Sequence, residues 1–199
     1  MSQGPRFAVF ASGSGSNFQA ILEAMNRGEL NGELVLVFSD KPDAYVLERS
    51  RNAGVEAVAI SPSTYPSKTA YEQAILEQLL ERDVEWIVLA GYMRLIGEVL
   101  LNAYENRIVN IHPSLLPSFP GKDAIGQAME HGVKITGVTV HLVDSGMDTG
   151  PILAQQAVEV VEDNKEATEK RIHAAEHGLY AKTLQHLWHR SKENIHEGL

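Results

Sequence analysis

The chain contains no cysteine. That excludes a disulfide framework, a thiolate nucleophile and any cysteine-ligated metal centre. It also lacks an uninterrupted apolar stretch of the roughly 20 residues that a membrane-spanning helix requires. The opening segment, MSQGPRFAVF, is too short and too polar for a secretory leader. Positive charge is scarce as well: 17 Lys and Arg face 26 Asp and Glu, for a formal net charge of -9. A broad nucleic-acid footprint needs a basic face, so nucleic acid is not an expected partner. Small anions are still within reach, because N–H groups at a helix start can bind them. The expectation is a cytoplasmic protein acting on small molecules, with no membrane partner.

What is present suits one ordinary domain. A chain of 199 residues with 44% hydrophobic and 22% charged content can bury a real core. Short apolar runs alternate with helical patterns. Strands are expected at 7–11, 34–38, 55–60, 86–90 and 108–111, and helices at 18–25, 44–53, 71–81 and 99–104. The run at 34–38 is apolar on both faces, as central parallel strands are. After residue 112 the rhythm changes. A loop at 114–121 leads to a helix at 123–131, then strand-like runs at 136–142 and 152–158 around the turn-rich 144–150. Asp163-x-x-Glu166 has the form of a capping box opening a long last helix. The fold class is therefore α/β: a doubly wound, mostly parallel, Rossmann-like sheet with helices on both faces, in a single domain.

The first strand is followed by Ser12-Gly13-Ser14-Gly15-Ser16-Asn17 and then a helix. Small residues let the backbone approach a ligand, and the helix start presents N–H groups to an anion. A dinucleotide turn wants glycine where Phe18 stands, although Asp40 after strand two could mimic its ribose-binding acid. A nucleotide-triphosphate loop wants a lysine that is not there. A single phosphate monoester on Gly15, Ser16 and Asn17 fits best.

Strand five ends in Asn110-Ile111-His112-Pro113. Ligands of open α/β sheets sit outside the carboxyl ends of the strands. Residues two apart share a face, so Asn110 and His112 point the same way, and Pro113 stiffens the exit. Asp144 and Asp148, in the turn after the next strand, are both candidates for a third member. Each is also an ordinary turn residue. His173 and His177, four apart on the last helix, read as a helix face rather than a metal pair. His141 sits in a strand whose facing is open.

Four segments together resemble the folate-dependent formyltransferases. They are the Ser12–Asn17 turn, Leu89-Ala90-Gly91-Tyr92-Met93-Arg94, Asn110-Ile111-His112-Pro113-Ser114-Leu115-Leu116-Pro117 and Asp148-Thr149-Gly150-Pro151. The likeness spans essentially the whole chain. The Asn-x-His-Pro-Ser-Leu-Leu-Pro stretch marks the superfamily, and the Gly-Ser-Asn turn singles out the members that act on a ribonucleotide. The resemblance implies transfer of a formyl group from 10-formyltetrahydrofolate, a co-substrate, to the amine of glycinamide ribonucleotide in purine synthesis, without a metal. It implies Asn110, His112 and Asp148 as the catalytic trio, with Asp148 favouring the imidazolium of His112. It puts the ribonucleotide on Gly15, Ser16, Asn17, Pro113, Ser114 and Glu176, and the folate on Met93, Arg94, Leu95, Ile96, Asn110, Val143 and Asp144. Lys68 stands where many relatives carry the Arg of the folate site, and Lys lacks its planar fork. The single domain, 1–199, divides on this view into a phosphate-binding half, 1–112, and a folate-loop and C-terminal-helix half, 113–199. A homodimer is the candidate assembly. Rival readings are a methionyl-tRNA formyltransferase, expected to carry a further tRNA-binding domain; a formyltetrahydrofolate hydrolase, which needs no phosphate turn; and a non-enzymatic nucleotide-binding module.

Overall fold

Strands that are apolar on both faces are stable only in the middle of a layer, and the first five runs form such a layer. The computed structural model describes residues 4–196, so the ends of the expected 1–199 domain lie outside the described residues. Strands β1 (Arg6–Phe10), β2 (Glu33–Ser39), β3 (Ala57–Ala59), β4 (Trp86–Leu89) and β5 (Ile108–His112) pair in parallel. They alternate with helices α1 (Ser16–Asn26), α2 (Tyr45–Asn52), α3 (Lys68–Leu80) and α4 (Glu98–Ala103). Beyond β5 come α5 (Ala124–Glu130), β6 (Ile135–Leu142), β7 (Ile152–Glu159) and α6 (Lys165–His196). β6 and β7 add antiparallel to β5, giving one seven-stranded sheet of order β3-β2-β1-β4-β5-β6-β7. β3 is shorter than the expected 55–60, being an edge strand with β2 as its single ladder partner.

Each face of the sheet has its own core. Phe18 and Ile21 of α1, Val46 and Leu47 of α2, and Ile172, Tyr180 and Leu184 of α6 pack on one side against Phe7, Val9, Val37 and Val88. Tyr71, Ile75 and Leu79 of α3 and Leu100 of α4 pack on the other, against Ala8, Phe10, Leu36 and Ile87. The sheet winds outward from β1 through β2 to β3, then returns to β4 on the other side of β1. That reversal opens a crevice at the carboxyl ends of β1 and β4.

Besides its apolar packing, α6 places one buried hydroxyl on the sheet. The buried Tyr180 O–H donates to the Leu89 carbonyl at 2.6 Å, with the Val109 carbonyl a second acceptor at 3.1 Å. These carbonyls belong to the last residue of β4 and the second residue of β5, so the hydroxyl ties the helix to both strands. The start of α6 departs from the expected capping box. Asn164, not Asp163, caps it by accepting the Ala167 N–H at 2.9 Å. Asp163 lies one residue too early, in a left-handed turn with φ 54, a conformation Asp tolerates.

Candidate active site

A cavity of about 720 Å³ occupies the crevice. Residues 13–17, 89–96 and 110–113 line it from the ends of β1, β4 and β5. The loop before α5, the turn between β6 and β7, and His173 and Glu176 of α6 complete its wall.

The glycine-rich turn is held by its glycine. Gly15 has φ 76 and ψ 31, and precedes the first residue of α1. A β-carbon there would lie 2.5 Å from Val46 Cγ2. Both the left-handed conformation and the close approach of α2 therefore demand glycine. The first N–H groups of α1 have no carbonyl before them in the helix and are available to an anion. Asn17 Oδ1, on the cavity wall, is buried with no hydrogen-bond partner among the described residues.

The three polar side chains expected to act together line the same cavity, and two of them are neighbours. His112 Nδ1 lies 3.5 Å from Asp148 Oδ2. His112 Nε2 lies 2.8 Å from the Phe119 carbonyl, so Nε2 must carry a proton and Nδ1 is the nitrogen turned to the carboxylate. Asp148 sits at φ 56 in the β6–β7 turn, and its Oδ2 accepts the Gly121 N–H at 2.8 Å. Asp144 is otherwise engaged. Its Oδ1 accepts the Gly146 N–H at 3.0 Å and the Thr149 hydroxyl at 2.6 Å, which folds the turn that presents Asp148. Of the two candidate carboxylates, Asp148 is the one at the imidazole.

His141 is the residue that sequence reasoning left undirected. It stands opposite Asn110 in the β5–β6 ladder, and Asn110 Nδ2 lies 3.2 Å from His141 Nε2. His141 Nδ1 faces the Leu142 carbonyl at 2.8 Å and must donate to it. Nε2 is then the acceptor, so one Asn110 N–H is bound and the amide plane is fixed. Burial pushes the His141 ring below the ordinary imidazole value, which keeps it in the neutral form that accepts. His141 Nε2 is also 3.8 Å from Asp148 Oδ1. The missing signal was pairing: until β6 is known to run antiparallel beside β5, nothing places residue 141 against residue 110.

The loop carrying Met93, Arg94, Leu95 and Ile96 is tied at both ends. The Met93 N–H donates to Ser12 Oγ at 2.9 Å, and that hydroxyl donates to Asp40 at 2.6 Å. The Gly97 N–H donates to the buried Glu72 carboxylate at 2.5 Å. Asp40 is thus spent on the loop and lies outside the cavity wall, unlike a ribose-binding acid. Val143 and Asp144 line the cavity with the loop. Glu176 is buried on the wall, and its Oε2 is 2.9 Å from His173 Nδ1. That bond pushes the His173 ring up, whereas burial pushes His177 down.

Two of the expected binding residues stand apart from the wall. Lys68 is exposed in the first turn of α3, where its chain lies beside Gly97 at the rim. Ser114 is fully buried beneath the loop, its hydroxyl donating to the Ser118 carbonyl at 2.6 Å and its carbonyl accepting from Thr139 at 2.7 Å. Pro113 lines the cavity directly. No described group of three or more His, Asp or Glu is arranged to hold a metal ion.

Comparison with known proteins gives the same picture. The model of the formyl transferase family matches residues 5–184. A phosphoribosylglycinamide formyltransferase of Bacillus subtilis (strain 168) is 53% identical over 183 residues, which cover 92% of this chain and 94% of that one. The enzyme of that name from Escherichia coli (strain K12) is 37% identical, over 86% of this chain and 82% of its own. The crystal structure of glycinamide ribonucleotide transformylase 1 from Geobacillus kaustophilus superposes with a TM-score of 0.91 at 57% identity, covering 94% of this chain and all of that one. Likeness of this extent, in sequence and in backbone, makes the chain a member of the formyl transferase family, in the branch of the phosphoribosylglycinamide formyltransferases.

Proposed function

We infer that this chain transfers the formyl group of 10-formyltetrahydrofolate to the primary amine of glycinamide ribonucleotide, a step in purine synthesis. One observation carries the reading: a carboxamide, an imidazole and a carboxylate line one cavity, the last two 3.5 Å apart, together with a glycine-rich turn suited to an anion.

The amide N–H groups of Gly15, Ser16 and Asn17 hold the phosphate at the start of α1. The unpartnered Asn17 oxygen and the Glu176 carboxylate accept from donors of the ribonucleotide, Glu176 from the ribose hydroxyls. Pro113 packs against the ribonucleotide, and Ser114 holds the backbone beneath it. Met93, Arg94, Leu95, Ile96, Val143 and Asp144 take the pterin. Lys68, exposed at the rim, suits the carboxylates of the folate tail. Residues 1–112 on this view supply the phosphate turn and one wall of the pterin pocket, and 113–199 supply the second wall, Asp148 and α6.

In the reaction the amine attacks the formyl carbon, a C–N bond forms, and the carbonyl oxygen becomes an oxyanion. Asn110 has one N–H on His141 and offers the other to that oxygen. His112, with Nε2–H fixed on Phe119, is the second oxyanion donor in its imidazolium form, through Nδ1–H. One such donor is worth roughly 10²–10³ in rate. Asp148 takes the proton that the attacking amine loses. The intermediate collapses as the oxyanion re-forms the carbonyl and the bond to folate N10 breaks, and N10 receives the proton that Asp148 took from the amine.

No described helix is long and apolar enough to cross a membrane. A cytoplasmic location and a homodimer complete the reading. Sedimentation equilibrium gives twice the 21.9 kDa chain mass if the dimer holds, and the chain mass if it does not. The activity is tested by following the absorbance of the formyl donor with and without glycinamide ribonucleotide. A change that depends on the ribonucleotide supports the transferase. Release of formate without it would make the protein a hydrolase, and no change at all would leave a binding module.

A further inference from the structure

The anion-binding turn, Ser-Gly-Ser-Gly-Ser-Asn at 12–17, contains neither Lys nor Arg. Apart from Ser hydroxyls and the Asn17 amide, its donors are backbone N–H groups, so its affinity depends on how its peptide planes are turned. Two of those planes are set from α2. The Gly13 carbonyl accepts the Val46 N–H at 3.1 Å, and the Ser14 carbonyl accepts Arg49 Nε–H at 2.8 Å. In a trans peptide the C=O of one residue and the N–H of the next point in opposite directions. With both carbonyls drawn toward α2, the N–H groups of Ser14 and Gly15 are turned away from it.

Arg49 is well placed to hold this arrangement without touching a ligand. It is half-buried, its guanidinium lies over the Tyr45 ring at 5.0 Å from the centroid, and it is not part of the cavity wall. A charge-assisted bond to a carbonyl also polarises the whole peptide, which makes the N–H of that peptide a stronger donor.

We propose that Arg49 is a positioning residue for the ribonucleotide phosphate, aiming and polarising the Gly15 N–H through the Ser14 carbonyl. The proposal rests on the reading of the turn as the phosphate site. The experiment titrates inorganic phosphate into wild type, R49M and R49K, following backbone amides by NMR, alongside steady-state kinetics. In wild type, phosphate shifts the amides of residues 14–17. R49M weakens phosphate binding and raises KM for the ribonucleotide by about tenfold, the scale of one charge-assisted hydrogen bond, with kcat and the folate KM within about twofold. R49K keeps the charge and a donor but not the planar fork, and falls between, at about threefold. A phosphate affinity in R49M within about twofold of wild type overturns the role of Arg49. If R49M does not fold, R49K decides alone: an unchanged phosphate affinity and KM rejects the proposal, and the intermediate loss upholds it. Absence of any amide shift in wild type overturns something earlier, the assignment of the turn itself.

Discussion

Asn110 and His141 are cross-strand neighbours whose side chains meet at 3.2 Å, so a residue outside the expected trio fixes the amide proposed to face the reacting carbon. Replacing His141 by Ala frees that amide to rotate while leaving Asn110, His112 and Asp148 in place. We predict that kcat falls by about 10- to 100-fold, less than removal of an oxyanion donor outright, with the ribonucleotide KM nearly unchanged. Steady-state kinetics of H141A checks this. A rise in KM alone would make His141 a binding residue instead.

His141 and His173 leave opposite marks on stability. Burial sets the folded value of His141 below its ordinary 6.5. The unfolded chain therefore binds more protons as the pH drops beneath 6.5, and stability falls on acidification through the lowered value. The Glu176 bond sets His173 above 6.5, so its contribution is complete below 6.5 and disappears as the pH rises through the raised value. Because the His173 side chain is 52% exposed, that contribution is below about 1 kcal/mol. Denaturant midpoints of wild type, H141Q and H173Q across the range test both signs. H141Q flattens the acid limb, and H173Q is less stable than wild type at low pH only.

Gly15→Ala combines two penalties. Alanine at φ 76 costs about 1–2 kcal/mol, and its β-carbon meets Val46. Overpacking adds about 1–3 kcal/mol unless the turn shifts. Thermal denaturation of G15A shows the loss. If the turn moves to relieve the contact, the ribonucleotide KM rises while the folate KM does not.

Tyr180→Phe removes one buried hydroxyl that serves carbonyls of β4 and β5. The two carbonyls keep their strand environment but lose this donor, so the cost is about 1–3 kcal/mol. Chemical denaturation of Y180F measures it. A neutral result would mean that apolar packing alone registers α6 on the sheet.

Much of this was legible in the sequence because it is local. The strands followed from apolar runs, and period-2 spacing put Asn110 and His112 on one face at the end of β5. The glycine turn followed from small residues between a strand and a helix. What escaped depends on contacts between distant segments. Spacing alone left Asp144 and Asp148 equal, and only the resemblance favoured Asp148; the turn spends the first on Gly146 and Thr149 and delivers the second to His112. His141 needed the antiparallel pairing of β5 with β6. The cap of α6 fell to Asn164 because Asp163 turns left-handed one residue earlier, a choice that the short-range pattern leaves open.

The central claim is that Asp148 takes the amine proton beside His112. Asp148→Asn tests it most directly, since the Asn oxygen can still accept the Gly121 N–H and preserve the loop. We predict that kcat for formyl transfer drops by about 10²–10⁴ while the ribonucleotide dissociation constant stays within about threefold. Turnover near the wild-type value in D148N would contradict the account.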